Sequence, residues 1–277
     1  MRRVPNVDAL IDGHDAFLID QFGTIHDGHA PYPGAVEALR RLRAAGRRVV
    51  LLSNSGQRAE ISEQRLRKVG IPHDSYDLSI TSGEVTFRMF AEGRIAAARP
   101  ACRCLLLEHS PGGLPLAALG YVLVGRAEQA ELVVIAGSRA DIIPLEQYEA
   151  MLAPAARAGV PALCINPDRT MLTRKGLAPG AGQIAEIYQR FGGQVDFIGK
   201  PHPAIYESVL AELGQPERAR VAGIGDSVEH DIAGARSVGC RAWLVRAGII
   251  AGADDAAVEA ECVRYGVRPD GVLDAFA

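Results

Sequence analysis

Ala16-Phe17-Leu18-Ile19-Asp20-Gln21-Phe22-Gly23-Thr24 is the stretch whose reading decides the fold. Four apolar residues run into a carboxylate, and a turn containing glycine follows. A short, continuous apolar run bounded by turn residues reads as a buried strand, here one that presents Asp20 at its end.

The same pattern recurs outward from this point. Further buried strands are expected at Arg48–Leu52, Leu78–Thr81, Asp196–Gly199, Arg220–Ile224 and Ala242–Val245. Helical patterns lie between them. In Ala35–Ala45 the apolar positions Ala35, Val36, Leu39 and Leu42 share one face, Pro33-Gly34 precedes the helix, and Gly46 closes it at the C′ position. Strands alternating with helices argue for an α/β fold with a mainly parallel, Rossmann-like sheet. The middle of the chain carries its own set: strands at Arg103–Leu107, Tyr121–Val124, Leu132–Ala136 and Pro161–Ile165, with helices near Leu145–Ala158 and Leu114–Leu119. It reads as a second α/β unit, residues 85–192, inserted into a core made of residues 1–84 and 193–277.

Bulk composition excludes several function classes. The 277 residues suffice for one large core or a core plus an inserted domain, and 48% hydrophobic with 23% charged residues is ordinary for a globular chain. A net charge of −3 gives no electrostatic case for nucleic acid or an anionic membrane surface. No apolar run approaches the roughly 20 residues that span a bilayer. Met1-Arg2-Arg3-Val4-Pro5-Asn6 has two basic residues with no apolar run behind them, so a secretory signal is not expected. The five cysteines (Cys102, Cys104, Cys164, Cys240, Cys262) lack zinc-site spacing, and reduced thiols in a cytoplasmic protein are the expectation.

Four polar groups fall at the ends of the expected core strands: Asp20, Ser53-Asn54, Lys200 and Asp226. In open parallel sheets, ligands bind in the crevice beyond the carboxyl ends of the strands. The chemistry these groups suit is phosphoryl transfer. The Asp20 carboxylate can attack phosphorus and divide a hard hydrolysis into two steps. Lys200 supplies positive charge, and the Ser53 hydroxyl with nearby backbone N–H groups holds phosphoryl oxygens. Asp226 and Asp231, in Gly225-Asp226-Ser227-Val228-Glu229-His230-Asp231, offer the oxygen ligands that a hard divalent cation such as Mg²⁺ prefers. Gly23 joins Ser53 and Asn54 in the expected substrate-binding set, with Asn166 and Arg169 from the inserted unit, where Arg169 can pair with an anion.

Asp20-Gln21-Phe22-Gly23-Thr24, Leu52-Ser53-Asn54-Ser55, Gly199-Lys200-Pro201 and Gly225-Asp226 through Asp231 resemble, in order, the four motifs of the haloacid dehalogenase-like (HAD) hydrolases. Pro33-Gly34-Ala35, Thr81-Ser82-Gly83 and Asn166-Pro167-Asp168 resemble class IIA of that superfamily, the branch of NagD-type and 4-nitrophenyl phosphatases. The interval from Asp20 to Ser53 holds one turn and one helix, while that from Ser53 to Lys200 holds an α/β cap, where class II places it. The resemblance implies Asp20 as nucleophile and Lys200 as the bridge between nucleophile and phosphoryl group. Mg²⁺ would be held by Asp20, the Phe22 backbone carbonyl and Asp226, with Asp231 in support. It also implies a small phosphorylated metabolite as substrate and a homodimer.

One residue departs from the pattern. In HAD phosphatases the position of Phe22 carries a second aspartate that protonates the leaving alkoxide and then activates water. Phe22 does neither, and loss of a general acid/base removes about 10²–10⁴ in rate. Its backbone carbonyl survives. Three readings follow: a phosphohydrolase for leaving groups that need little protonation, such as acyl or aryl phosphates, or with an acid drawn from His26, Asp27 or His202; a metal-independent 2-haloacid dehalogenase, whose halide leaves without a proton; or a catalytically weak binder of a phosphate-bearing ligand. The acidic pair Asp226 and Asp231 weighs against a halocarboxylate, whose anion it would repel.

Overall fold

A computed structural model of the chain describes residues 1–173 and 176–277. In chain order its strands are β1 (Arg3–Val4), β2 (Ala16–Asp20), β3 (Arg48–Ser53), β4 (Leu78–Thr81), β5 (Arg103–Leu107), β6 (Val122–Leu123), β7 (Leu132–Ile135), β8 (Ala162–Cys164), β9 (Thr170–Thr173), β10 (Gly176–Pro179), β11 (Val195–Phe197), β12 (Val221–Gly225), β13 (Arg241–Val245) and β14 (Gly271–Leu273). The helices are α1 (Ala35–Ala44), α2 (Ala59–Lys68), α3 (Ser82–Ala91), α4 (Leu145–Arg157), α5 (Ala181–Arg190), α6 (Pro203–Glu212), α7 (Ala233–Ser237) and α8 (Asp255–Tyr265). Among the described residues, no helix is long and apolar enough to cross a membrane.

The chain divides into two compact units, the first made of Met1–Ser53, Glu60–Ile80 and Lys200–Ala277. Its sheet runs β1-β14-β13-β12-β2-β3-β4. The pairs β2·β3, β2·β12, β12·β13, β13·β14 and β1·β14 are all parallel. The chain leaves β2 toward β3 and β4, then returns to β12 on the other flank of β2 and continues outward. The strand order therefore reverses between β2 and β12, and a crevice opens beyond the carboxyl ends of strands at such a reversal. Phe17, Ile19, Leu51, Ile224 and Val245 pack with Leu39 and Leu42 in one core cluster. Helix α1 buries Ala35, Ala38, Leu39 and Leu42, as its apolar spacing predicts except that Ala38 takes the place of the half-buried Val36. Gly46 follows the cap residue Ala45 with φ +73°, the left-handed conformation that ends a helix and that glycine adopts without strain.

The second unit comprises Asn54–Ala59 and Thr81–Gly199. Its sheet, β11-β8-β7-β5-β6, is parallel in every pair, and β9 with β10 forms a separate antiparallel hairpin. Val133, Ile135, Tyr148, Leu152, Ile184 and Tyr188 form its core. Residues 85–192, expected as the insertion, fall inside this unit, which reaches further on both sides and takes in Asn54–Ala59. Backbone proximity explains that last segment. A Cβ on Gly56 would run into the Ala136 carbonyl, and one on Gly83 would run into the backbone of Gly56 and Gln57. Arg58 also forms an ion pair with Glu84, the latter on α3.

The strand expected in the core sheet at Asp196–Gly199 is a correction. It is β11, it pairs with β8 through Val195↔Ala162 and Phe197↔Cys164, and it belongs to the second sheet. Val195 and Phe197 find their apolar partners in the second core. Lys200 consequently does not end a core strand; it opens the returning core segment just ahead of α6. The helix expected near Leu114–Leu119 is one 3₁₀ turn, Leu116–Leu119, and Tyr121–Val124 shortens to the exposed β6. The sequence reading missed β1, β14 and the β9–β10 hairpin, which are short and carry too few residues for a period to show.

Candidate active site

The polar groups that the first unit brings together can now be built up in order. Asp20 closes β2 and lies in register opposite Leu52 of β3, so Ser53 ends β3 one residue beyond it. Asp226 follows the last residue of β12, the strand on the other side. The Lys200 ammonium donates to Asp20 Oδ1 at 2.5 Å and to Asp231 Oδ1 at 2.6 Å. Thr24 donates its hydroxyl to Asp20 Oδ2 at 3.2 Å, so both Asp20 carboxylate oxygens are held. Asp231 Oδ2 accepts from the Ser227 N–H at 3.1 Å. A wide π-type turn, Val228–Ile232, points Asp231 back at its own strand, and such turns recur at functional sites. Gly225 makes this possible, since a Cβ there would occupy the Asp231 side chain.

Asp226 sits in a cradle of backbone. Its Oδ2 accepts from the Ile249 N–H at 2.6 Å. A Cβ on either Gly23 or Gly248 would overlap its carboxylate. Gly23 has φ +85° and its N–H donates to the His26 carbonyl at 2.9 Å, so that N–H is engaged inside the turn and the residue's contribution is close approach to Asp226. Thr24, Gly248, Ile249 and Tyr206 were not anticipated from the sequence. Thr24 lies within the quoted stretch and could have been read from its hydroxyl. Gly248 and Ile249 carry no signal, because their role is played by backbone after β13. Tyr206 packs where Gly234 lacks a side chain, and its hydroxyl reaches the carbonyls of His230 and Asp231 at 3.3 and 3.4 Å.

Burial and charge act together on these groups. Lys200 and Asp231 have 4% and 5% of their side-chain surface exposed, against 13% for Asp20. Burial raises the Asp20 carboxyl above its usual range, with the Asp231 charge adding to the rise and Lys200 opposing it. Asp226 is pushed up to about 8, first by burial and then by the charges of Asp20 and Asp231. Burial works against the Lys200 ammonium, but the two carboxylates outweigh it and hold the group well above its ordinary value. Three carboxylates thus share one lysine.

That excess negative charge fits a divalent cation. Asp20, Asp226 and Asp231 each offer an oxygen within 4.8 Å of the others. Burial and the neighbouring carboxylates disfavour the Asp226 charge, so the site suits positive charge beyond that of Lys200. An all-oxygen donor set suits a hard ion such as Mg²⁺.

The remaining expected residues make side-chain contacts of their own. Phe22 is 49% exposed, and its ring meets the His26 imidazole edge-on at 5.9 Å. Asn54, Asn166 and Arg169 belong to the second unit. There Asn54 donates to the Asp168 carboxylate at 2.7 Å, Asn166 Oδ1 accepts from the Asp168 N–H at 3.0 Å, and Arg169 pairs with Glu186 at 2.8 Å. Gln21, flanked by catalytic candidates, turns away: its amide meets Ser62 and Ser79 in the interior of the first unit.

Comparison with known proteins identifies the family. Residues 17–110 match the haloacid dehalogenase-like hydrolases, and residues 197–277 match a second, HAD-hydrolase-like description. The chain is 31% identical over 257 residues to the D-glycerol 3-phosphate phosphatase of Mycobacterium tuberculosis, covering 92% of this chain and 69% of that protein. A haloacid dehalogenase-like hydrolase from Brucella suis superposes with a TM-score of 0.84 at 28% identity, covering 99% of this chain and 100% of the other. A glycerol phosphate phosphatase from Mycobacterium tuberculosis in complex with magnesium superposes with a TM-score of 0.75 at 29% identity, covering 96% and 76%. The chain is therefore a hydrolase that belongs to the haloacid dehalogenase-like family, in the class IIA branch of NagD-type and 4-nitrophenyl phosphatases.

Proposed function

We propose that this protein is a Mg²⁺-dependent phosphohydrolase that transfers the phosphoryl group of a small metabolite to Asp20 and then to water. The observation that carries the reading is the cluster of Asp20, Lys200, Asp226 and Asp231 at the strand-order reversal of the first unit. Asp20, the Phe22 carbonyl and Asp226 would hold the metal, with Asp231 tied to Lys200 behind them. Bound there, the cation would offset the charge of the phosphoryl oxygens.

The side chains divide the remaining work. Lys200 and Thr24 hold the two Asp20 oxygens, which limits the orientations from which attack starts. As an Asp20 oxygen bonds to phosphorus, the bond from phosphorus to the leaving oxygen breaks, and Lys200 compensates the negative charge gathering there. Water then attacks phosphorus, the bond to Asp20 breaks, and inorganic phosphate departs. Phe22 provides no proton to the leaving oxygen, so acyl and aryl phosphates, whose leaving groups are stable as anions, are the favoured class. The five cysteines are free and buried, which fits the reducing cytoplasm, and a homodimer completes the reading.

The test is phosphate release from a panel of acyl, aryl and alkyl phosphates with and without Mg²⁺. Release is expected to require the metal and to vanish in Asp20→Asn; release that persists in that variant would overturn the proposal. In the same panel Phe22→Asp is expected to gain about 10²-fold or more on alkyl phosphates, the ordinary worth of a positioned acid.

A further inference from the structure

We infer that the half-exposed ring of Phe22 is a binding platform for a flat, unsaturated leaving group, which makes aryl phosphates the preferred substrates. The inference rests on the phosphohydrolase reading above and goes further, because it concerns recognition of the leaving group and not its protonation.

From Ala16 to Ile25 every residue is buried or half-buried except Phe22, which is 49% exposed. Isolated exposed aromatics are common on protein surfaces and need no function. This one is different in its support and its place. One side of the ring is enclosed by a built turn. The His26 imidazole meets it edge-on, with centroids 5.9 Å apart and planes at 81°. Gly28, at φ +92°, lies so close that a Cβ would come within 3.1 Å of the ring. The turn is itself pinned. His26 Nδ1 accepts from the Gly28 N–H at 2.9 Å, the His26 carbonyl accepts from the Gly23 N–H at 2.9 Å, and the Asp27 carboxylate accepts from the N–H groups of His29 and Ala30, each at 2.8 Å. The ring is thus held from behind while its outer part stays bare.

Its place names the occupant. Phe22 stands between Asp20, the expected nucleophile, and Gly23, whose backbone abuts the Asp226 carboxylate. A substrate whose phosphorus reaches Asp20 leaves its organic part outside the buried carboxylates. There Phe22 offers an exposed apolar ring, in a loop that further on also exposes Asp27, Gly28, His29 and Ala30. The ring has no donor, acceptor or charge, so it does nothing for the hydroxyls of a sugar or glycerol unit. It rewards a flat π-system, which can stack offset on it or meet it edge-on.

The experiment uses two phosphonates that are not hydrolysed. Phenylphosphonate and methylphosphonate are titrated calorimetrically, with Mg²⁺, into wild type, Phe22→Leu and Phe22→Trp, each checked for folding by circular dichroism. Wild type is expected to favour phenylphosphonate by about ten-fold, and Phe22→Trp to keep that preference. Phe22→Leu, which retains apolar area without a π face, is expected to lose about five-fold of it. An equal ratio of affinities in wild type and Phe22→Leu, or no binding of either phosphonate, overturns the inference. The two levels separate cleanly. Turnover of phenyl phosphate with an unchanged ratio sinks the platform alone, whereas an aromatic preference that depends on Phe22 without any turnover supports the platform and sinks the hydrolase.

Discussion

At the scale of single residues, Asp226 shows most clearly how burial and charge combine in the site. Its carboxyl sits at about 8 in the folded chain, against an ordinary 3.8, because burial and two neighbouring carboxylates disfavour its charge. The sign of the consequence follows from linkage. The folded state holds a proton that the unfolded state has released, so stability is fully present below the unfolded value and is lost as pH rises toward 8. A bound cation would replace that proton. Mg²⁺ affinity, measured by calorimetry, is expected to climb between pH 6 and 8 and then level off. Asp226→Asn is expected to be more stable than wild type in EDTA at pH 8 and to gain nothing from Mg²⁺. A wild-type affinity independent of pH over this range would show that Asp226 is not displacing a proton when the metal binds.

At the scale of elements, the start of α3 shows how one side chain organises several segments. Thr81 caps the helix by accepting the Glu84 N–H at 2.9 Å, a Thr-x-x-Glu pattern visible in the sequence. The Glu84 carboxylate does not return to the cap. It takes Arg58 at 2.5 and 3.2 Å, Arg88 at 3.1 Å and the Ala59 N–H at 3.3 Å. Burial alone would raise this carboxyl, but these hydrogen bonds and charges outweigh it and hold it below 4.5. The sign is opposite to that of Asp226: Glu84 contributes stability above the unfolded value, and that contribution disappears as pH falls through the folded value. Glu84→Gln is expected to lose roughly 1.5–3 kcal/mol in urea denaturation at pH 7, the usual worth of hydrogen bonds to a charged group. Its deficit relative to wild type should shrink below pH 4. A deficit that stays constant with pH would mean that packing, and not charge, holds Asn54–Ala59 to this helix.

For the whole molecule, Lys200 joins what the sequence keeps apart. Asp20 lies 180 positions before it and Asp231 lies 31 after it, and its one ammonium contacts both. Removing that charge leaves Asp20, Asp226 and Asp231 facing one another in a buried space. Lys200→Met is expected to cost about 3–5 kcal/mol in chemical denaturation without metal, the scale for an uncompensated buried charge. Mg²⁺ should restore part of that stability while phosphate release stays lost, because the cation does not replace the ammonium that holds Asp20 Oδ1 and Asp231. Full recovery of turnover with Mg²⁺ would assign Lys200 a purely structural role.

The sequence by itself determined the longer strands and helices and the residues of the candidate site. Runs such as Ala16–Ile19 and the α1 face of Leu39 and Leu42 are local signals, since a strand's burial and a helix's period are written over a few consecutive residues. Asp20, Lys200 and Asp226 were legible for a related reason: each is a polar residue directly after an apolar run or a glycine, and Asp231 was read with Asp226 from the acidic run that follows. What depended on pairing over distance was decided only by the tertiary structure. Val195–Phe197 joined the second sheet because its apolar partners, near Ala162 and Cys164, lie there, and no local pattern distinguishes one sheet from another. The cradle of Asp226 stayed invisible because it is made of the Ile249 N–H and the missing side chains of Gly23 and Gly248, and backbone groups are the same at every position. Phe22 belongs to both. Its identity marked the missing acid in the sequence, while the turn from Gly23 to Pro31 left its ring half exposed.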